Sequence, residues 1–241
     1  NVNVNNGPGS YCAGGISDST SLEVVCPGYD QVDQTFNVGS GGSSGPDAFA
    51  LQPDGKIIIN RGPNFSRLSR LDSHGNADAS FHPGSGPDGE VHAIALQLDG
   101  RILIAGNFTS YNGTNRSHIA RLNADGSLDP SFDPGSGANG DINALAVQPD
   151  GGILIGGGFS SYDSTNRNGI ARLDYDGYLD TSFNPGTGVS GNVNALVLRP
   201  DGKVVIAGYF GSVNGTNRSS IAWLNANGSL DLAFNPGSGP N

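Results

Sequence analysis

The chain has 241 residues, 35% of them hydrophobic, which is enough to bury a core, while 39 Gly and 14 Pro make it turn-dense and ill-suited to long helices. Twelve basic against 22 acidic residues give a net charge of −10, which argues against nucleic acid as a partner because phosphate binding requires a basic surface. No apolar run approaches the ~18 residues that a membrane-spanning helix needs, so no membrane span is expected.

In chain order, residues 1–28 read as an irregular N-terminal leader or cap. Asn1-Val-Asn-Val-Asn-Asn6 alternates polar with apolar, the period of a strand, and Gly7-Pro-Gly-Ser10 ends it. Tyr11 to Gly28 is rich in Ser, Gly and Asp around the only two cysteines, Cys12 and Cys26. One pair in a chain otherwise without sulfur suggests a local disulfide, Cys12 to Cys26, and an oxidising compartment; two free thiols are the plainer alternative. Methionine is absent, residue 1 included, as expected of an end left by a removed secretion signal and equally of a fragment.

From residue 29 to 241 one phrase recurs. Phe36, Phe81, Phe132, Phe183 and Phe234 stand 45, 51, 51 and 51 residues apart and bound four units, 37–81, 82–132, 133–183 and 184–234. The first unit is degenerate, six residues shorter than its siblings. Within the second, 91–97 and 102–108 are rich in Ile, Leu, Val and Ala and flank Asp99-Gly100, a hairpin signal because glycine accepts positive φ. A loop at 112–116 leads to a third strand, 117–122, and a second turn at Asp125-Gly126 leads to an outer strand, 127–132. The fold class expected is therefore all-β: a β-propeller of four four-stranded antiparallel blades in ~51-residue repeats. Alanines or small residues recur in the inner strand at Ala48, Ala93, Ala144 and Ala195, compatible with a tight ring.

The wording from Ile119-Ala-Arg-Leu-Asn-Ala-Asp-Gly-Ser-Leu-Asp-Pro-Ser-Phe132, with Asp54-Gly-Lys-Ile57 earlier, resembles the bacterial delta-60 repeat over residues 29–241. That resemblance implies a β-propeller in a secreted or surface protein, and it brings no catalytic residues to transfer. The chain departs from the pattern in its first unit and at Trp223, where the siblings have Arg70, Arg121 and Arg172.

Five outer-strand segments, 29–36, 76–81, 127–132, 178–183 and 229–234, accompany four sets of inner strands, so one is surplus. A spare edge strand is a template for pairing with another chain, which makes a homo-oligomer or a head-to-tail homopolymer the expected assembly. The alternatives are a fifth strand on one blade and further blades beyond Asn241.

Four sets of residues are candidates for chemistry. Asp174, Asp176 and Asp180 fit D-x-D-G-x-x-D, a spacing that can wrap oxygens around calcium, although the same letters suit a hairpin turn; no other cofactor is called for. Tyr111, Arg116, Tyr162, Arg167 and Arg218 in the long loops are a candidate platform for a glycan or carboxylate, against the reading that each arginine pins its own loop. Asn112, Asn115, Asn214 and Asn217 each head an N-x-(Ser/Thr) acceptor for glycosylation. The histidines, His74, His82, His92 and His118, lie at unequal offsets and form no acid–base constellation with Ser or Cys. The expected function is accordingly a non-enzymatic, secreted, extracellular structural or adhesive propeller, as a filament subunit joined by strand exchange; the alternative is a carbohydrate-binding propeller.

Overall fold

The computed structural model describes residues 2–5, 11–18, 21–25, 48–61, 67–237 and 239, with side chains described for 48–60, 67–237 and 239. The N-terminal strands β1 (Val2–Asn5), β2 (Tyr11–Asp18) and β3 (Ser21–Val25) form an antiparallel sheet in that order, so the alternating Asn/Val stretch is a strand and a hairpin follows it. Cys12 lies in β2 opposite Val4. Cys26 and the segment 29–36 lie outside the described residues, and so does the expected disulfide.

Each repeat then builds one antiparallel sheet. The first is β4 (Phe49–Leu51), β5 (Ile57–Arg61) and β6 (Arg67–Leu71). The second is β7 (Val91–Leu96), β8 (Ile102–Gly106) and β11 (Ile119–Leu122), with a small ribbon, β9 (Ser110–Tyr111) and β10 (Thr114–Asn115), inserted before β11. The third repeats this as β12 (Ile142–Val147), β13 (Ile153–Gly157), β14 (Ser161–Tyr162), β15 (Thr165–Asn166) and β16 (Ile170–Leu173). The fourth has longer strands, β17 (Val189–Leu198) and β18 (Val204–Val213), with β19 (Thr216–Asn217) and β20 (Ile221–Leu224) both paired to β18. No helix occurs among the described residues.

The turns explain the glycines. At Asp99-Gly100 the Gly100 N–H donates to the Gln97 carbonyl and the Gln97 N–H to that of Arg101, while only Gly100 has positive φ, 85°. This is a three-residue loop, a type I turn closed by a left-handed glycine, rather than a two-residue mirror turn. The stretch 112–116, read from sequence as a loop, contains a genuine two-residue hairpin: Asn112 and Gly113 both have positive φ, 49° and 75°, and join β9 to β10. Asn214-Gly215 does the same in the fourth unit, and Asp163-Ser164 does it in the third without a glycine.

The expected outer strand is shorter than the sequence pattern suggests. In each unit it amounts to one antiparallel bridge, Leu71↔Ala77, Leu122↔Leu128, Leu173↔Leu179 and Leu224↔Leu230. The chain leaves the ladder there because Asp129 turns back to accept the Ser131 N–H and Phe132 dives beneath the next sheet. The C-terminal copy behaves alike, with Leu230 bridging Leu224 and Asp231 accepting the Ala233 N–H, so residues 229–234 belong to the fourth unit; the other copy, 29–36, is then the one left over in the count, and it lies outside the described residues.

Between successive sheets lie the hydrophobic cores. Ile58, Leu68 and Phe81 of the first unit pack with Ile102, Ile104, Phe108 and Tyr111 of the second. Leu103, Ile119 and Phe132 meet Ile142, Ile153 and Ile155, and Leu154, Ile170 and Phe183 meet Val193, Val204 and Ile206. Blades two and three therefore bury both faces only through their neighbours, the condition that makes repeats interdependent. Inner strands touch in the order β4, β7, β12, β17, with no comparable contact from β17 back to β4 among the described residues. Among the described residues the four sheets do not close into a ring.

Candidate functional site

The main polar cluster of each of the first three units holds blades together. Arg121, fully buried, sends Nε to Asp129 Oδ2 at 2.7 Å, Nη2 to Ser131 Oγ at 3.1 Å and Nη1 to the carbonyl of Tyr175 in the next blade. Its guanidinium also stacks over Phe132, 5.1 Å from the ring centroid, and over Tyr175 at 4.6 Å. Arg70 makes the same set with Asp78, Ser80 and the Ala124 carbonyl, and Arg172 with Asp180, Ser182 and the Ala226 carbonyl. Burial raises the Asp129 carboxyl, but the Ser131 hydroxyl and N–H together with Arg121 outweigh it and hold it below its ordinary value. These charges are structural clips.

That assignment accounts for several sequence candidates. Asp180 belongs to the Arg172 clip, and Asp174 accepts the backbone N–H groups of Asp176 and Tyr178, so the three aspartates do not converge. Among the described residues no group of three or more His, Cys, Asp or Glu side chains is placed to hold a metal, and the calcium spacing resolves into a turn and an ion pair. Tyr111 and Tyr162 are fully buried, each donating its hydroxyl to the carbonyl of the turn glycine, Gly126 and Gly177, and burial pushes both phenols up. They cannot serve as an exposed glycan platform. Arg116, Arg167 and Arg218 each donate Nη1 to the preceding carbonyl at 2.8 Å, which pins their loops. Asn112 and Asn214 are exposed but occupied, accepting from the Gly86 and Thr187 N–H groups; Asn115 and Asn217 are exposed on β10 and β19.

Sequence reading missed a polar row at one end of the inner strands. His92, Asn143 and Asn194 occupy one repeat position: His92 Nδ1 lies 3.1 Å from Asn143 Oδ1, and Asn143 Nδ2 donates to Asn194 Oδ1 at 3.4 Å. Glu90 Oε2 lies 3.4 Å from His92 Nε2. The 51-residue spacing of unlike letters was the available signal.

A second feature is the outer face of the fourth blade. In blades two and three the face turned to the next blade is carried by Leu103, Ile119, Leu154 and Ile170, all 0% exposed. Register places Val205 beside Val197 and Trp223, and Ala207 beside Ala195 and Ile221, on the corresponding face of blade four. There Val197 is 58% exposed and Tyr209, at the far end of the same row, 79%. Trp223 stands where the clip arginine would reach for a following blade. It stacks flat on Phe234, 4.5 Å between centroids, with Arg199 over its other side at 4.0 Å. Asp231, released from its arginine, pairs instead with Lys203 Nζ at 2.7 Å.

Radially repeated sheets with cores between them, tied by cross-blade arginines, define a β-propeller protein. The chain belongs to the family described as "Domain of unknown function (DUF5122) beta-propeller", whose sequence profile matches residues 52–81, 97–132, 148–183 and 199–234. No curated protein matches significantly. Among solved structures the chain is similar to the WD40 beta propeller domain of Doa1, with TM-score 0.61 and 17% identity over 92% of this chain and 64% of that one. It is similar also to a chain of the Mitotic Checkpoint Complex, with TM-score 0.57 and 13% identity over 92% of this chain and 59% of that one. PorZ, a surface component of the type-IX secretion system of Porphyromonas gingivalis, matches with TM-score 0.53 and 13% identity over 99% of this chain and 34% of that one. At these identities the likeness shows the fold, and the chain spans less than two thirds of each of the three.

Proposed function

We propose that the chain is a non-enzymatic structural or adhesive propeller module of the cell exterior, kin to the delta-60 repeats, that associates through the uncovered face of its fourth blade. The observation that carries this reading is the contrast between Leu103 and Ile119, sealed by the next blade, and Val197 and Tyr209, which are exposed on blade four. An apolar sheet face of this kind favours association. The acidic, sulfur-poor composition fits an extracellular location but does not carry it.

The occupant proposed is a second copy. Ile57, Ile59 and Leu71 of blade one are buried whereas Val197 and Tyr209 of blade four are exposed, so the two faces are unlike and a like-with-like contact is favoured. A two-fold pairing of blade four with blade four satisfies both copies at once. A filament joined by exchange of 29–36 would rest on residues outside those described. Light scattering during size-exclusion chromatography across a wide concentration range tests the pairing. Mass should rise toward a dimer, with the emission of Trp223, the only tryptophan, shifting to the blue, and Val197→Asp should return a folded monomer. A monomer at every concentration, or association unaffected by Val197→Asp, would refute it.

A further inference from the structure

At one end of the inner strands β7, β12 and β17 the polar row His92, Asn143 and Asn194 crosses three blades. The His92 side chain is 23% exposed, and each of its ring nitrogens faces an oxygen: Nδ1 lies 3.1 Å from Asn143 Oδ1 in blade three, and Nε2 lies 3.4 Å from Glu90 Oε2 in blade two.

The proton count at this ring is the unusual feature. A neutral imidazole carries one N–H, so it donates to one of the two oxygens and turns a lone pair toward the other. Asn143 does not resolve the conflict by turning its amide over. Its Nδ2 donates to the Val193 carbonyl at 3.4 Å, and a carbonyl only accepts, so the Oδ1 end is the one left for His92. The Glu90 carboxylate also only accepts. The doubly protonated ring is therefore the form that donates to both, and its bond to Glu90 is then charge-assisted.

Among the described residues no other charged side chain pairs with this ring. Asn107 Nδ2, in blade two, lies 3.5 Å from Glu90 Oε2, and blade one sends the neutral Asn60 to the Val91 carbonyl. Asn143 and Asn194, from blades three and four, are neutral as well. The second titratable pair at this end is His118 and Asp141, with Nδ1 and Oδ1 3.8 Å apart. His118 Nδ1 donates to the Gly106 carbonyl at 3.0 Å, a bond that the neutral ring makes as well as the charged one.

We infer that His92 is a proton-operated clasp between blades two and three, extended to blade four through Asn143. The fold favours the protonated ring, so the clasp contributes at the acid end of the range in which histidine changes charge, about pH 5 to 8, and is lost as pH rises through it. The clip aspartates Asp129 and Asp180 are held below their ordinary value and give way only at lower pH, so the two devices work in separate windows. The clasp is independent of blade-four pairing.

The test is urea unfolding of the full chain at pH 5.5 and pH 8, for the unaltered sequence and for His92→Gln, Glu90→Gln, the double variant and His118→Gln. Between pH 8 and pH 5.5 the unaltered chain should gain about two- to fivefold more in its folding equilibrium constant than His92→Gln does, the size expected of a partly exposed pair. Glu90→Gln should lose the same gain, because a neutral amide can turn to donate to a neutral ring, and the double variant should lose no more than either single one. His118→Gln should keep it. Should His92→Gln not fold, Glu90→Gln carries the test, since the Glu90 side chain is 40% exposed. A pH response as large in His92→Gln or Glu90→Gln as in the unaltered chain, single losses that add in the double variant, or loss of the response in His118→Gln alone would overturn the inference.

Discussion

Arg121→Ala is the perturbation whose magnitude the structure defines best. The substitution removes a fully buried guanidinium and leaves Asp129, 4% exposed, with its Ser131 contacts but without that partner at 2.7 Å. Breaking a buried pair from one side is destabilising by about 3–5 kcal/mol, because a charge stays behind uncompensated. In a chain of this size that corresponds to a fall in melting temperature of roughly 6–20 °C. Arg101 Nε, 3.2 Å from Asp129 Oδ2 and partly exposed, offsets part of the stranded charge and places the expected loss toward the lower end of that range. Arg172→Ala is the internal comparison: its side chain and that of Asp180 are 15% and 27% exposed, so water screens the charge left behind and the loss should be smaller. The double variant Arg121→Ala/Asp129→Ala removes both charges and should recover part of the stability. Thermal and urea unfolding followed by circular dichroism would measure all three. Equal losses for Arg121→Ala and Arg172→Ala, or a double variant no better than Arg121→Ala, would refute the reasoning.

Two further outcomes follow from the same geometry. Gly126 and Gly100 have nearly the same φ, 88° and 85°, but a Cβ on Gly126 would lie 2.8 Å from the Phe81 ring whereas one on Gly100 meets nothing within 4 Å. Gly100→Ala should lose about 1–2 kcal/mol in urea unfolding from backbone strain alone, and Gly126→Ala clearly more; equal losses would show that the Phe81 contact does not matter. Acid should unfold the chain through its clips and turns. Burial raises the Asp88 carboxyl, but the Ser110 and Thr109 N–H groups and the Thr109 hydroxyl lower it from 3.8 to about 2, and Asp78, Asp129 and Asp180 are also held below the ordinary value. Groups depressed in the folded state bind more protons when unfolded, so their stabilisation is full above about pH 5 and is lost as pH falls through 4 toward 2. A urea midpoint unchanged between pH 5 and pH 2 would contradict this.

The repeat grammar was legible because it is local. The 51-residue period, the turn glycines and the apolar strands specify sheets whatever surrounds them, and Phe81, Phe132 and Phe183 mark the points where one unit passes under the next. The site was harder to read. Tyr111 and Tyr162 look like an exposed platform when only their Asn, Gly and Thr neighbours are considered, but their rings point into the core between blades while those neighbours face water. Asn112-Gly113 could have been recognised as a hairpin on its own letters, since both residues accept the positive φ it requires.

What the chain by itself determined is the unit: an antiparallel sheet with one apolar face on each side and an arginine, an aspartate, a serine and a phenylalanine at fixed offsets. Only the tertiary structure decided which of those groups are spent and which remain available. It placed Arg121 against the carbonyl of Tyr175 in the following blade, buried Tyr111 and Tyr162 beneath exposed loops, and left Val197 and Tyr209 exposed on the face of blade four that corresponds to the one carrying the buried Leu103 and Ile119 in blade two. The physical reason is that a propeller blade satisfies its polar atoms and hides its faces only against neighbours distant by a whole repeat, so residues with the same local sequence acquire different roles in different blades.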